Sequence, residues 1–198
     1  SGSLTGGETF AFVSAVRNAN FTLTDTQLSI SDGTSFQMQG ITVAELEGGA
    51  GNNVLDASGF SGAAVLSGMN GNDVIFGGSG NDWLTGGSGN DIIVGNEGND
   101  TLVGNADRDL LIGGDGADNG ETDLIPPGLD GGGGDDLLIA GATSYDANIA
   151  ALTAILAEWA SGNNYATRVS NLRQGTGLNG AYVLRVAGDS GPGSPTVF

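Results

Sequence analysis

The sequence predicts an all-β chain: a parallel β-roll or β-helix solenoid with a small helical element near its C-terminus. Three observations predict it. A nine-residue period runs through the middle of the chain: Gly77-Gly78-Ser79-Gly80-Asn81-Asp82-Trp83-Leu84-Thr85, then Gly86-Gly87-Ser88-Gly89-Asn90-Asp91-Ile92-Ile93-Val94, then Gly95-Asn96-Glu97-Gly98-Asn99-Asp100-Thr101-Leu102-Val103. Glycine, 38 of 198 residues, is concentrated in that period, which marks repeated tight turns rather than disorder. A stripe of apolar residues at helical spacing, Ile149, Leu152, Ile155, Leu156 and Trp159, follows the period.

Residues 1–47 hold short alternating segments around Phe10, Phe12, Phe21, Leu23, Leu28, Ile30, Phe36, Met38, Ile41 and Val43, broken at Asp25, Asp32-Gly33 and Gly40. They read as irregular β-strands that cap the solenoid. Residues 48–139 are the repeat array, with the pattern Gly-Gly-x-Gly-x-Asp-x-U-x, where U is a large aliphatic residue. Each unit gives a six-residue turn and a three-residue strand, and two units complete one circuit, so strands stack eighteen residues apart on two sheets. The U residues Ile75, Leu84, Ile93, Leu102, Leu111 and Leu138 point into a narrow core. The unit after Asp118, with Pro126-Pro127, has lost the motif and predicts a loop or bulged tier. Residues 140–198 predict a helix capped by Asp146 and ended near Gly162, then a second from Tyr165 to Leu172 stopped near Gly175. A strand over 181–186 and a loop-rich tail follow. Thr196-Val197-Phe198 reads as the start of another strand, as if the parent protein continues.

The aspartates recur with the period: Asp73, Asp82, Asp91, Asp100, Asp109 and Asp118 are nine apart, and Asp136 lies two units further on. Alternate units share an edge, so Asp73, Asp91 and Asp109 stack on one side, and Asp82, Asp100, Asp118 and Asp136 on the other. Strands ~4.8 Å apart make each edge a ladder of like charges, which is destabilising unless neutralised. A hard dication between rungs resolves this. It takes one carboxylate from each of two stacked turns and further oxygens from turn carbonyls around Gly71, Gly78, Gly80, Gly87, Gly89 and Gly98. All-oxygen ligation with flexible geometry favours calcium over magnesium. Asn72, Asn81, Asn90 and Asn99, beside the aspartates, tolerate left-handed backbone. The pattern weakens where Met69, Asn96 and Asn105 replace the second Gly, Asp107 the fourth, and Asn53 an Asp.

These units resemble the RTX-type, hemolysin-type calcium-binding repeat of secreted bacterial proteins, and residues 140–172 are similar to a helical element that follows such repeats in large bacterial surface proteins. The resemblance implies a parallel β-roll that is disordered without calcium and folds when it meets calcium outside the cell, at the cell surface; the intact units and their departures lead to an expectation of about four or more ions.

Composition limits the rest. Net charge is −18, from 23 acidic and 5 basic residues, all of the latter arginine (Arg17, Arg108, Arg168, Arg173, Arg185), which opposes binding to nucleic acid or anionic membranes. No apolar run approaches the ~20 residues of a membrane span, so membrane insertion is not expected. Without His or Cys there is no Ser-His-Asp triad, thiol nucleophile or His-built zinc site, so the chain is read as no enzyme. A polysaccharide-active enzyme working through paired carboxylates is the weakest reading, because the carboxylates follow the ion-binding period. The favoured reading is a structural module of a surface layer, fibre or matrix protein, assembling as a homo-oligomer or filament. The alternative is an adhesin face for carbohydrate, for which Trp83, Thr85 and Thr101 supply a fragment. Outward residues on one sheet (Val74, Phe76, Ile92, Val94, Leu110, Ile112) are all apolar, so that sheet is expected to lie under the helix or another subunit.

Overall fold

Because the motif allows only short strands between glycine turns, the chain cannot build long ribbons and instead alternates between two sheets. The structure, a computed structural model, describes residues 2–5, 11–116 and 128–184. The N-terminal part forms β1 (Gly2–Thr5), β2 (Ala11–Val16), β3 (Phe21–Thr24), β4 (Gln27–Ile30), β5 (Ser35–Gln39) and β6 (Ile41–Gly49). The repeats form β7 (Val54–Gly59), β8 (Ala63–Asn70), β9 (Val74–Phe76), β10 (Trp83–Ser88), β11 (Ile92–Glu97), β12 (Thr101–Ala106), β13 (Leu110–Asp115), β14 (Gly128–Gly133) and β15 (Leu137–Ile139); β10 to β13 run six residues each, through the first three positions of the next unit, rather than the three expected.

The first sheet runs β1-β5-β4-β3-β7-β9-β11-β13-β15 and the second β14-β12-β10-β8-β6-β2. All described pairings are parallel except β3 with β4 and β4 with β5, where the tight turns at Asp25 and Gly33 make antiparallel ribbons. In the regular array Ile92 lies opposite Val74 and Leu110, and Trp83 opposite Val65 and Thr101, a spacing of 18 as the period requires. The two tiers just before it are 20 residues long (Val43 opposite Ala63, Val54 opposite Val74), and the last is 27 (Leu110 opposite Leu137). The degenerate unit therefore adds nine residues to its tier (27 − 18) while the strands keep their faces.

The side-chain alternation of strands puts U residues between the sheets. Leu55, Ile75, Leu84, Ile93, Leu102 and Leu111 are fully buried there, continuous with Leu23, Leu46 and Leu66. Leu138 departs from expectation: it is 42 % exposed, because β15 ends the first sheet and no further tier covers it among the described residues.

The turns explain which substitutions the motif tolerates. Second-position residues take positive φ at Gly87, Gly114 and Gly132, and so do their replacements Met69 (81°), Asn96 (75°) and Asn105 (79°); Asp107 (77°), at a fourth position, does likewise. Asn and Asp bear this conformation at modest cost, whereas Met has no side-chain compensation. The asparagines before each aspartate serve otherwise than expected. They are not the left-handed residues; their Oδ1 atoms accept N–H bonds one tier on, from Asn72 to Asn52, Asn90 to Asn72 and Arg108 to Asn90, at 2.9–3.0 Å.

Two helices follow, α1 (Ile149–Trp159) and α2 (Tyr165–Gln174). The N-cap of α1 is Asn148, whose side chain accepts from Ala151, and not Asp146 as the sequence suggested; the Asp146 carboxylate is taken up by the Thr143 N–H and hydroxyl. Gly175 closes α2 in the left-handed conformation that glycine favours. The expected strand over 181–186 is absent from its described part, 181–184, where the Leu184 N–H bonds instead to Leu172. The expected strand start at 196–198 lies outside the described residues. The helices cover the first sheet: Leu152, Ile155, Leu156, Trp159, Leu172 and Leu184 pack on Phe76, Ile92, Val94, Leu110, Ile112 and Ile139. Glu158, wholly buried in this layer, is penalised by burial, but bonds from Asn171, Leu178 N–H and Asn163, with the Arg168 charge, hold it below the ordinary range. It thereby ties α1 to α2 and the following loop.

Candidate metal centre

Each described aspartate of the array directly precedes its strand and so closes a turn at the edge of the sandwich. On one edge the chain of contacts is continuous. Asp73 Oδ1 accepts the Asn53 N–H (2.7 Å), Asp91 Oδ1 the Asp73 N–H (2.8 Å), Asp109 Oδ1 the Asp91 N–H (2.8 Å) and Asp136 Oδ1 the Asp109 N–H (2.9 Å). Asp136 thus stands on the edge of Asp73, Asp91 and Asp109, not opposite it as the count of repeats predicted; the nine extra residues of the last tier shift it by one unit. On the other edge Asp82 Oδ1 accepts the Ala64 N–H (2.7 Å) and Asp100 Oδ1 the Asp82 N–H (2.9 Å). Asp118 lies outside the described residues.

The second carboxylate oxygens carry the chemistry. Oδ2 of Asp73, Asp91 and Asp109 is buried with no hydrogen-bond partner. An ionised oxygen in that position costs several kcal/mol unless a proton or a cation compensates. Asp82 differs, since its Oδ2 accepts the Gly78 N–H at 2.6 Å. Burial accordingly pushes Asp91 up to about 8, with the charges of Asp109, Asp73 and Asp107 adding to the effect. Asp109 is raised to about 7, again by burial first and then by Asp136 and Asp107. Burial raises Asp82 to about 6 against the bonds from Ala64 and Gly78, and it raises Asp73 and Asp136 as well.

The first glycine of each unit opens a cradle beside this oxygen. A Cβ at Gly68, Gly86 or Gly104 would collide with Oδ2 of Asp73, Asp91 or Asp109 respectively. At Gly77, Gly95 and Gly104 it would also meet a backbone carbonyl from the next tier, of Gly95, Gly113 and Gly131. At Gly80, Gly89 and Gly98 it would meet the carbonyls of Gly62, Gly71 and Gly80 one tier earlier, so stacked turns bring their carbonyls together. Gly78 instead packs on the Phe60 carbonyl, and Gly87, at φ 122°, on that of Met69. Among the described residues no three carboxylates converge on one point. The donor set is therefore one carboxylate oxygen per rung plus main-chain carbonyls, all of them hard oxygen donors, and it fits a hard divalent cation. Calcium, when bound there, supplies the positive charge that the buried oxygens lack.

Sequence reasoning missed one feature. Arg108, beside Asp109, reaches Asp135 (3.4 Å), which Arg168 on α2 also contacts (3.1 Å). The sequence separates these three by up to 60 positions (168 − 108), and only the fold unites them.

Comparison with known families matches the RTX calcium-binding nonapeptide repeat, in four copies, at residues 45–59, 58–93 and 94–119. Comparisons with curated proteins and with solved structures gave no match. Repeats of this kind imply calcium binding in a secreted bacterial protein, with a β-roll as their fold. No described helix is long and apolar enough to cross a membrane.

Proposed function

Taking residues 45–119 as RTX calcium-binding nonapeptide repeats, we propose that this chain is an extracellular structural module that folds on calcium into a β-roll and serves as a scaffold or assembly element of a bacterial surface layer, fibre or matrix. The observation that carries the reading is the row of buried, partnerless Oδ2 atoms at Asp73, Asp91 and Asp109. Buried carboxylates facing carbonyl-lined cradles are an unstable arrangement alone and a favourable one around a dication. On this reading Asp73, Asp91, Asp109 and Asp136 serve one edge and Asp82 and Asp100 the other, Asp118 remains a ligand expected from the period alone, and the array takes about four or more ions. Without them, repulsion within a chain of net charge −18 opposes a core that, between the sheets, has one large aliphatic residue per repeat strand. Extracellular modules bind calcium at ~10⁻⁴ to 10⁻³ M, which suits a chain that stays unfolded until it leaves the cell.

Equilibrium dialysis against calcium, with sedimentation velocity on the same samples, tests both halves of the proposal. Four or more ions per chain and growth in mass on loading support it. Stoichiometric binding by a chain that stays monomeric removes the assembly role, and no binding removes the whole.

One observation favours a carbohydrate-binding adhesin as a second reading. Trp83 is 44 % exposed on the second sheet, whose outer face no described element covers, in the same row as Thr101 and Val65. Quenching or shift of its fluorescence by neutral oligosaccharides would support that role, and indifference to them would remove it.

A further inference from the structure

The helix pair is held to the sandwich by more than its apolar face, and its polar attachments gather at one place. The Arg108 guanidinium donates to the carbonyls of Ala160 (3.1 Å) and Ser161 (3.2 Å), at the end of α1. Both Arg108 and Arg168 pair with the Asp135 carboxylate. Arg168, 5 % exposed, also donates to the Trp159 carbonyl (2.8 Å) and lies 4.7 Å over the Trp159 ring. The Trp159 indole N–H donates to the Asp135 main-chain carbonyl. Two residues of the repeat array therefore anchor the helices, and each directly precedes an aspartate of the same rung: Arg108 precedes Asp109, and Asp135 precedes Asp136. That rung is closed by the bond from the Asp109 N–H to Asp136 Oδ1 (2.9 Å). At the start of α1 the arrangement differs. Asp146 approaches the turns of the other edge, near Ser79, Glu97 and Asp115, but its carboxylate is bonded to Thr143 of its own segment.

We infer that Asp135, clamped by Arg108 and Arg168, is a positioning residue for the Asp109 and Asp136 rung, so that docking of the helix pair and calcium binding at that rung reinforce each other on one edge of the sandwich. The physical basis is linkage. The orientation of two neighbouring carboxylates is fixed by backbone that the helices hold, and an ion that fixes those carboxylates holds the same backbone for the helices. Whatever free energy the docked helices add to calcium binding, calcium returns to docking. The inference rests on the reading of Asp109 and Asp136 as calcium ligands.

The test uses the whole chain, calcium ions with magnesium as control, calorimetric titration, and hydrogen exchange of α1 amides. Asp135→Asn, at a side chain that pairs with Arg108 and Arg168, is expected to weaken one class of calcium sites about fivefold or more and leave the rest unchanged. It should also speed α1 exchange at intermediate calcium. Asp136→Asn is expected to do both, whereas Asp82→Asn should weaken calcium binding without speeding α1 exchange. In the double variant Asp135→Asn with Asp136→Asn the two losses should not add. Equal weakening of every site by Asp135→Asn would mean general destabilisation and would overturn the inference. So would unchanged calcium binding in Asp135→Asn alongside weakened binding in Asp136→Asn. If Asp136→Asn itself leaves calcium binding intact, the assignment of that rung as a metal site fails instead.

Discussion

Replacing Asp91 by asparagine should change stability in opposite directions with and without calcium. Asp91 is fully buried, its Oδ1 holds the Asp73 N–H, its Oδ2 has no partner, and burial lifts it to about 8 from an ordinary 3.8. A group whose folded value lies above its unfolded one stabilises the fold fully below the unfolded value and loses that stability as pH rises to the folded value. At pH 7 about three units have been crossed, a ceiling of ~4 kcal/mol at 1.36 kcal/mol per unit. Asparagine removes that cost and keeps an oxygen for the Asp73 N–H, but it leaves an amide N–H₂ unpaired, at ~1–3 kcal/mol. Without calcium the variant should therefore be more stable by roughly 1–3 kcal/mol. With calcium it loses a charged ligand, and tenfold in affinity corresponds to about 1.4 kcal/mol. In chelator, the sucrose or trimethylamine oxide concentration needed to induce β-structure, followed by circular dichroism, should fall. The calcium concentration at the folding midpoint should rise. A variant that needs more osmolyte in chelator, or folds at unchanged calcium, would refute the role given to the buried oxygen.

Other consequences can be measured on the same footing. Asp82→Asn should perturb calcium-driven folding less than Asp91→Asn, since Asp82 Oδ2 already accepts the Gly78 N–H; equal shifts in calcium midpoint would count against the distinction. Met69→Gly should raise the calcium-loaded melting temperature, through relief of about 1 kcal/mol at a residue with φ 81°, and a lower temperature would contradict it. Leu110→Asp should cost several kcal/mol and expose Trp159, seen as a red-shifted emission in a Trp83→Phe background, because Leu110 is wholly buried beneath the helices. In chelator, β-structure should be greatest near pH 4 and decline as pH rises through about 6, 7 and 8, where Asp82, Asp109 and Asp91 ionise; a chelated chain that gains structure with rising pH would reverse the sign of the argument.

The period made most of the array legible. Glycine positions, U residues and aspartates obey one repeat, so the period alone places Ile75, Leu84 and Ile93 in the core and Asp73, Asp91 and Asp109 on one edge. The apolar row from Val74 to Ile112 likewise announced that the first sheet needed a cover, and the stripe on α1 supplied it. Counting failed where the period failed. Counting puts Asp136 on the wrong edge because nine extra residues in a tier are invisible to arithmetic in units of nine. Leu138 has the residue type of a core position and the exposure of a terminal strand, a matter of what stacks beyond it. Asn148 and Asp146 are both competent caps, and the Thr143 bonds decided between them. The Asp135 clamp joins residues distant in sequence and carries no local signal at all.

The central claim is that calcium compensates the buried aspartate edges and so drives folding. Far-UV circular dichroism of the chain in chelator, then with millimolar calcium or with magnesium alone, tests it most directly. At neutral pH the account predicts a disordered spectrum in chelator and in magnesium, and a cooperative appearance of β-structure in calcium. A chain already rich in β-structure in chelator at neutral pH would contradict it.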